Sequence, residues 1–391
     1  VVSRLDAPVF GAIGQSYSAP QRFSFTSSWR YSKSDRHYVG RHYQRQRDEE
    51  GSQVINRVST EDFNFKWNIN DRWNLGASLP YQRATRSSGL RDPVTRKIVA
   101  RSDYRSDGIG DMVITARHWI LNPATHRTGN LQIGFGLKLP TGNSTEKAYR
   151  YSLVHGVSTR NATQSYNDRS VQPGDGGGIG YLIDFSWFQS VFKGHMTFYT
   201  SAGYLFNPKE KNHATGNSVP DQYVGRVGAI FSGPKWHGIG VGLGGRLEGS
   251  PYQDVFGGDT GGRRPGYSVA IEPSISWSHG PNSIALAVPY RMYANRTRSV
   301  SDRENGGHGD AAFADYVVLF SYTRRFGDRV KSSHAPPVDE AKPAEGKKSS
   351  CAPELNIKDE PSAASTTSSM PIGDEAEALV QRAMASIVPP A

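Results

Sequence analysis

The stretch "YVVLFSYTRRF" (316–326) alternates along its length. Tyr316, Val318, Phe320, Tyr322 and Phe326 fall on one side of an extended chain, and Ser321, Thr323 and Arg325 fall on the other. Successive side chains of a β-strand point to opposite faces, so this segment reads as a strand that is apolar on one face and wet on the other.

The same two-residue period recurs from residue 21 onward. "FSFTSSWRY" (23–31) sets Phe23, Phe25, Trp29 and Tyr31 against Ser24, Thr26, Ser28 and Arg30. "FNFKWNI" (63–69) sets Phe63, Phe65, Trp67 and Ile69 against Asn64, Lys66 and Asn68. "WNLGASLPY" (73–81) and "LQIGFGLKL" (131–139) repeat the pattern. Further strands are predicted near 109–121, 179–192, 195–206, 222–232, 237–248, 266–278, 282–294 and 314–326, about twelve in all. Each is close to the ~9–11 residues that a tilted strand needs to cross a membrane.

Composition agrees with this reading. Only 36% of the 391 residues are hydrophobic, and no run approaches the ~20 apolar residues of a membrane helix. Glycine (42) and tyrosine (19) are plentiful, as strands, turns and aromatic girdles require. A single cysteine, Cys351, excludes an internal disulfide and argues against a thiolate metal site. The chain begins at Val1, as a processed precursor would.

The connections sharpen the fold. Short ones fall at "NIND" (68–71), "NPATHRTG" (122–129), "FKG" (192–194), "GPKW" (233–236) and "HGPN" (279–282). Long ones fall near 33–54, 84–108, 141–178, 207–221, 249–265 and 295–313. Short and long alternate, as tight periplasmic turns and long extracellular loops do in a membrane barrel. The expected fold is therefore all-β: an antiparallel up-and-down transmembrane β-barrel over 21–326, closed by the strand that ends at Phe326. It is expected in a bacterial outer membrane with both termini in the periplasm, among lipid and lipopolysaccharide.

Parity assigns the lumen. Arg30, Lys66, Arg117, Lys138, Arg226, Arg246, Arg291 and Arg325 are expected to line the pore with Asp184, Glu248 and Glu272. The alternation around Arg117 is poor. Gly134, Gly136, Gly240, Gly242 and Gly244 also point inward and leave room. Two readings of the charges stand side by side. Rings of inward Arg and Lys favour anions, or the charges pair with the carboxylates and brace the wall.

Three stretches carry a resemblance: "DGIGDMVITARHWI" (107–120), "LQIGFGLKLPTG" (131–142) and "VQPGDGGGIGYLIDFSWFQSV" (171–191), supported by "LGASLPYQ" (75–82). Their order and spacing resemble the outer-membrane barrels of the MetA-pathway of phenol degradation family, over about residues 20–326. The resemblance implies a barrel of about twelve strands that admits small, often aromatic, compounds. It implies no catalytic residues.

Other motifs favour bland readings. "SDRENGGHGD" (301–310) and "YNDRSVQPGDGGG" (166–178) place acids near glycines but lack the regular spacing of a calcium loop, so they read as solvated loop. "GDGGGIG" is followed by no helix and so is no phosphate loop. His118 and His195 lack the partners that nucleophilic catalysis needs, so no enzyme and no cofactor is expected. Net charge is +10, but the basic residues form no helical block, which disfavours nucleic acid. Arg36, Arg41, Arg45 and Arg47 could meet lipopolysaccharide phosphates or lie in a solvated loop.

The ends differ from the middle. Residues 1–20 read as a periplasmic arm. Residues 327–370 are rich in Pro, Ala, Ser, Lys and Glu and read as a flexible linker. In 371–391, Asp374 and Glu377 fit a capping box. Ala376, Leu379, Val380, Ala383, Met384 and Ile387 then form one apolar stripe. The residues Leu379, Val380, Ala383, Met384 and Ile387 are the expected docking face for a periplasmic protein partner or for the barrel itself. Two functions follow: a channel for passive passage of small anionic or aromatic solutes, or a structural outer-membrane subunit that anchors an assembly through its tail and loops.

Overall fold

A computed structural model of the chain describes residues 21–330, except Ala124, His155, Gly156, Pro234 and Thr260. The 1–20 arm and the tail from 331 onward, including the docking stripe at 379–387, lie outside the described residues.

The described chain is a closed antiparallel β-barrel. Its strands are β1 (Gln21–Val39), β2 (His42–Tyr43), β3 (Ile55–Asn68), β4 (Trp73–Arg91), β5 (Ile98–Ile109), β6 (Met112–Trp119), β7 (Gly129–Leu139), β8 (Lys147–Val154), β9 (Val157–Tyr166), β10 (Gly180–Val191), β11 (Met196–Phe206), β12 (Gln222–Phe231), β13 (Ile239–Ser250), β14 (Gly266–His279), β15 (Asn282–Ala287), β16 (Tyr290–Asn295) and β17 (Ala311–Arg329). The wall has twelve strands, because β5 with β6 and β15 with β16 each form one interrupted strand. Hairpin β8–β9 is a separate two-stranded ribbon, and β2 pairs only with β1. Closure comes from β1 on β17, in register from Phe23–Phe326 through Trp29–Phe320 to Tyr38–Ala311. The last strand runs three residues past Phe326, to Arg329.

The faces are inverted relative to a water-soluble protein. Ser24, Thr26, Ser28, Ser321 and Thr323 are buried toward the lumen, and Thr26 and Thr323 share a 2.8 Å hydroxyl hydrogen bond across the closing seam. Phe25, Phe65, Leu137, Phe185, Val227, Leu243 and Phe320 are exposed on the outer wall. Aromatic side chains are exposed near both rims. Trp67, Trp73, Phe231, Trp277 and Phe326 lie at the short-turn rim, and Tyr181, Tyr290 and Tyr316 lie toward the long-loop rim. An apolar band between two aromatic girdles is the outer surface of a membrane barrel. No helix among the described residues is long and apolar enough to cross a membrane.

The turns have local causes. Asn70 Oδ1 accepts from Arg72 N at 2.9 Å and Trp73 N at 2.7 Å, which closes the β3–β4 turn. Gly280, at φ +54°, lets β14 reverse into β15 in two residues. At 110–111 the wall strand kinks, so that β4 pairs with β6 below and β5 above.

The segment 84–108 is not the loop that periodicity suggests. β4 continues to Arg91 and pairs with β5 as a long hairpin. Its strands, "RATRSSGLR" and "IVARSDYRSDGI", are largely polar on both sides and show no apolar period. Hairpin β8–β9 lies inside 141–178, also expected as a loop.

Val227, on the outer face of β12, is strongly exposed. Val227→Arg is expected to cost about 2–4 kcal/mol if this face meets hydrocarbon. Urea titration in lipid vesicles, read by electrophoretic mobility of the folded form, measures the cost. A loss well under about 1 kcal/mol would show that Val227 is not in the bilayer core.

Candidate functional site: the lumen and its mouth

The inward charges fall into clusters. On the β6–β7–β10 wall, Arg117 makes a forked ion pair with Asp184, at Nε–Oδ1 3.0 Å and Nη2–Oδ2 3.0 Å. Gly134, between them on β7, makes this pair possible. A Cβ at Gly134 would lie 2.6 Å from Asp184 Oδ1 and 2.8 Å from Arg117 Cγ. The weak alternation around Arg117 has a different cause: Val113, on the same face as Arg117, packs inside against the buried cluster Leu182, Leu205 and Val224.

On the β12–β13–β14 wall, Arg226 pairs with Glu272, and Arg246 pairs with Glu248 at 2.7 Å and Glu272 at 3.6 Å. All four are almost fully buried. Tyr199 packs over Gly228 and Gly244, where any Cβ would lie 2.6 Å from its hydroxyl. The inward glycines therefore accommodate side chains from neighbouring strands.

Lys138 reaches the mouth. Its Nζ donates to Asp175 Oδ2 at 2.5 Å and to Asn207 Oδ1 at 2.6 Å. Gly177 and Gly180 clear its path, since a Cβ on either would lie 3.2 Å or less from the lysine side chain. Arg291 spans the seam between β16 and β17, which share only the pair Tyr290–Tyr316. It donates to the Ala314 carbonyl at 2.9 Å and to Tyr38 Oη at 2.6 Å, and it pairs with Asp315.

Arg30 is buried in the wall of a cavity at the mouth. Lys66 and Arg325 lie nearer the short-turn rim. Lys66 is accessible from within the lumen and has no ion pair among the described residues. Its charged neighbours are Arg117 and Arg325. Arg325 donates to Ser283 Oγ at 2.7 Å and has no carboxylate partner among the described residues. Asp62, which parity also puts inside, is buried there. It went unremarked because it lies between Glu61 and Phe63, where the apolar alternation begins.

The largest departure from the sequence reading is the segment 166–178, expected as solvated loop. Residues 167–175 fold into the long-loop end of the lumen. Val171 is fully buried, and Asn167 and Gln172 nearly so. Gln82 Nε2 on β4 donates to the carbonyls of Val171 at 3.2 Å and Gln172 at 3.0 Å, and Ser106 on β5 also donates to Val171. Gly174 passes against Gly142, with a Cβ position only 2.5 Å from the Gly142 carbonyl oxygen. The glycines of "LPTG" and "QPGDGGG" thus serve one crossing.

Asp168 clamps this inserted segment, pairing with Arg264 at 2.9 Å and Arg86 at 3.4 Å. Burial alone would raise its carboxyl pKa. The two guanidiniums, Arg264 first, outweigh burial and hold it well below the usual carboxylate range. In "SDRENGGHGD" the acids are likewise spent on structure. Asp302 caps the short helix Val300–Glu304 with Ser299 and pairs with Arg296 at 3.0 Å, while Asp310 pairs with Arg47 and His37. Of the named loop bases, Arg36 pairs with Asp315 at 2.9 Å.

No family model matches this chain, and no curated protein matches it. The barrel is similar in fold to solved outer-membrane β-barrels. A crystal structure of an outer membrane channel from Pseudomonas putida F1 superposes with a TM-score of 0.51 at 12% identity, covering 80% of this chain and 98% of that one. The translocator domain of the autotransporter NalP from Neisseria meningitidis follows at 0.44 and 13%, covering 83% and 94%. The Ralstonia pickettii toluene transporter TbuX gives 0.40 and 10%, covering 79% and 90%. At these identities the likeness is one of fold.

Two outcomes test the site. Asp184→Asn is expected to destabilise the barrel by about 3 kcal/mol, because Arg117 is left buried without its counter-charge. Adding Arg117→Met should restore most of that loss, and urea unfolding in vesicles checks both variants. Separately, Asp168→Asn should loosen the inserted segment and raise single-channel conductance at pH 7. In the unmodified protein the low carboxyl pKa keeps the clamp charged, so its stabilisation is lost only as pH falls below the usual aspartate value. Conductance should therefore stay flat from pH 7 to about 5.

Proposed function

We propose that this protein is a passive channel of the bacterial outer membrane that admits small solutes with a preference for anions. Both chain termini would face the periplasm and the long loops the exterior. The observation that carries the preference is Lys66, a lumen cation without a carboxylate partner among the described residues, flanked by Arg117 and Arg325. Elsewhere the carboxylates Asp184, Glu248, Glu272 and Asp175 are each held by a guanidinium or ammonium. A solute in transit therefore meets a positive residual field, which lowers the barrier to anions and raises it to cations. Bracing and selection coexist, since paired charges hold the wall and unpaired ones act on the solute.

A passive route fits the architecture: a closed wall, a polar lumen, and loops that narrow the entrance. The solved relative from Pseudomonas putida F1, described as an outer membrane channel, and the motif resemblance to the phenol-degradation barrels support the same reading.

Reversal potentials in planar bilayers under a potassium chloride gradient test the proposal. Chloride is expected to be favoured over potassium, and Lys66→Glu should reduce or invert that ratio. Absence of current, or cation preference in the unmodified protein, would refute it.

A further inference from the structure

At the long-loop end of the lumen lies a cavity of about 280 Å³, near the ~300 Å³ lower end of small-molecule sites. One part of its lining is basic, with Arg30, Arg47, Arg86, Arg169 and Arg264. Another part is apolar, with Val54 and Val58 of the β1–β3 region and Val219 and Pro220 of the 207–221 loop.

Most charges here are already satisfied. Asp168 is shared by Arg86 and Arg264, Asp310 by Arg47 and His37, and Asp175 holds Lys138. His37 adds no charge at pH 7. Burial first, and Arg47 second, lower its imidazole to about 4. It sits beyond the outward pair Lys33–Asp35 that ends the apolar band.

Arg169 is different. It comes from the inserted segment and donates one hydrogen bond, from Nη1 to the Ser218 carbonyl at 3.1 Å. It has no ion pair among the described residues. Arg264 repels it more strongly than Asp168 attracts it, and Asp168 is already held by Arg86 and Arg264. Burial, then Arg264, push its guanidinium down to about 9, which still leaves it charged at neutral pH. A charged fork of donors facing a cavity, with like charge beside it, has no counter-ion of its own among the described residues. Burying a guanidinium without one is costly, and a carboxylate accepts two parallel N–H bonds from such a fork.

We propose that this cavity is a binding site for a small monocarboxylate with an apolar body. Its carboxylate sits on Arg169, with Arg264 adding positive charge beside it, and its body lies against Val58, Val219 and Pro220. The site rests on the channel reading for its purpose, as the point where solute pauses before the lumen. It does not depend on that reading for its existence.

Calorimetric titration of the full chain in detergent tests the site without any current being measured. Butyrate should bind saturably and more tightly than acetate. Its neutral isostere butyramide and inorganic phosphate should bind more weakly. Arg169→Gln should weaken butyrate binding about tenfold, the worth of one charge-assisted hydrogen bond, and Arg169→Lys should fall between. Retained heat-modifiable mobility on gels shows that each variant has folded. No saturable butyrate signal, equal binding of butyramide, phosphate ahead of butyrate, or an unchanged folded Arg169→Gln would each overturn the site. Bilayer current separates the two readings. Conduction without butyrate binding overturns the site and leaves the channel, and binding without conduction does the reverse.

Discussion

The structure depends on the closing ladder between its first and last wall strands. A sheet in hydrocarbon cannot leave an edge, because each unpaired N–H or C=O there costs several kcal/mol. β1 and β17 meet this demand over nearly their whole length, from Phe23–Phe326 to Tyr38–Ala311. Once the wall is closed, each strand has one face toward lipid and one toward the lumen. The exposed phenylalanines and buried serines of β1 are that constraint written in side chains. β16 and β17 share one backbone pair, Tyr290–Tyr316, and a guanidinium, Arg291, bridges them.

Closure creates a second demand inside. Strands that alternate strictly place charged residues in a narrow space, where ions are partly desolvated and must be matched. The matching is local and runs across neighbouring strands. Arg117 meets Asp184 over Gly134, and Arg226, Arg246, Glu248 and Glu272 neutralise one another on adjoining strands. The mouth extends the same chemistry to loops. Lys138 on the wall holds Asp175 from the inserted segment, and Asp168 from that segment holds Arg86 and Arg264.

Much of this was legible in the chain. Twelve wall strands, the alternation of short and long connections, and the closing role of 316–326 follow from a period of two and from turn chemistry. The inward side of Asp184, Arg226 and Glu272 follows from parity; that of Arg117 follows only weakly, because both faces of its strand carry apolar residues. Contacts between loops and wall did not, because they carry no period. Segment 166–178 reads as polar and glycine-rich whether it lies in water or fills a barrel. Only its burial of Val171 and Gln172 tells the two apart. The long hairpin β4–β5 was missed for a related reason: its strands are largely polar on both sides and have no apolar period to betray them. Arg86 and Arg169 became functional candidates only when folding brought them to the lining of one cavity.

The paired lumen charges have a further consequence for how such a barrel diversifies. Each carboxylate in the network masks a cation that the wall already carries. One base change that neutralises Glu248 or Asp184 alters the lumen's field without adding a charge, moving a strand or touching the lipid face. The wall is thus a reservoir of cryptic selectivity, limited by the stability cost of exposing each cation. Glycines at positions such as Gly134 set which of those cations have space to stand where they do.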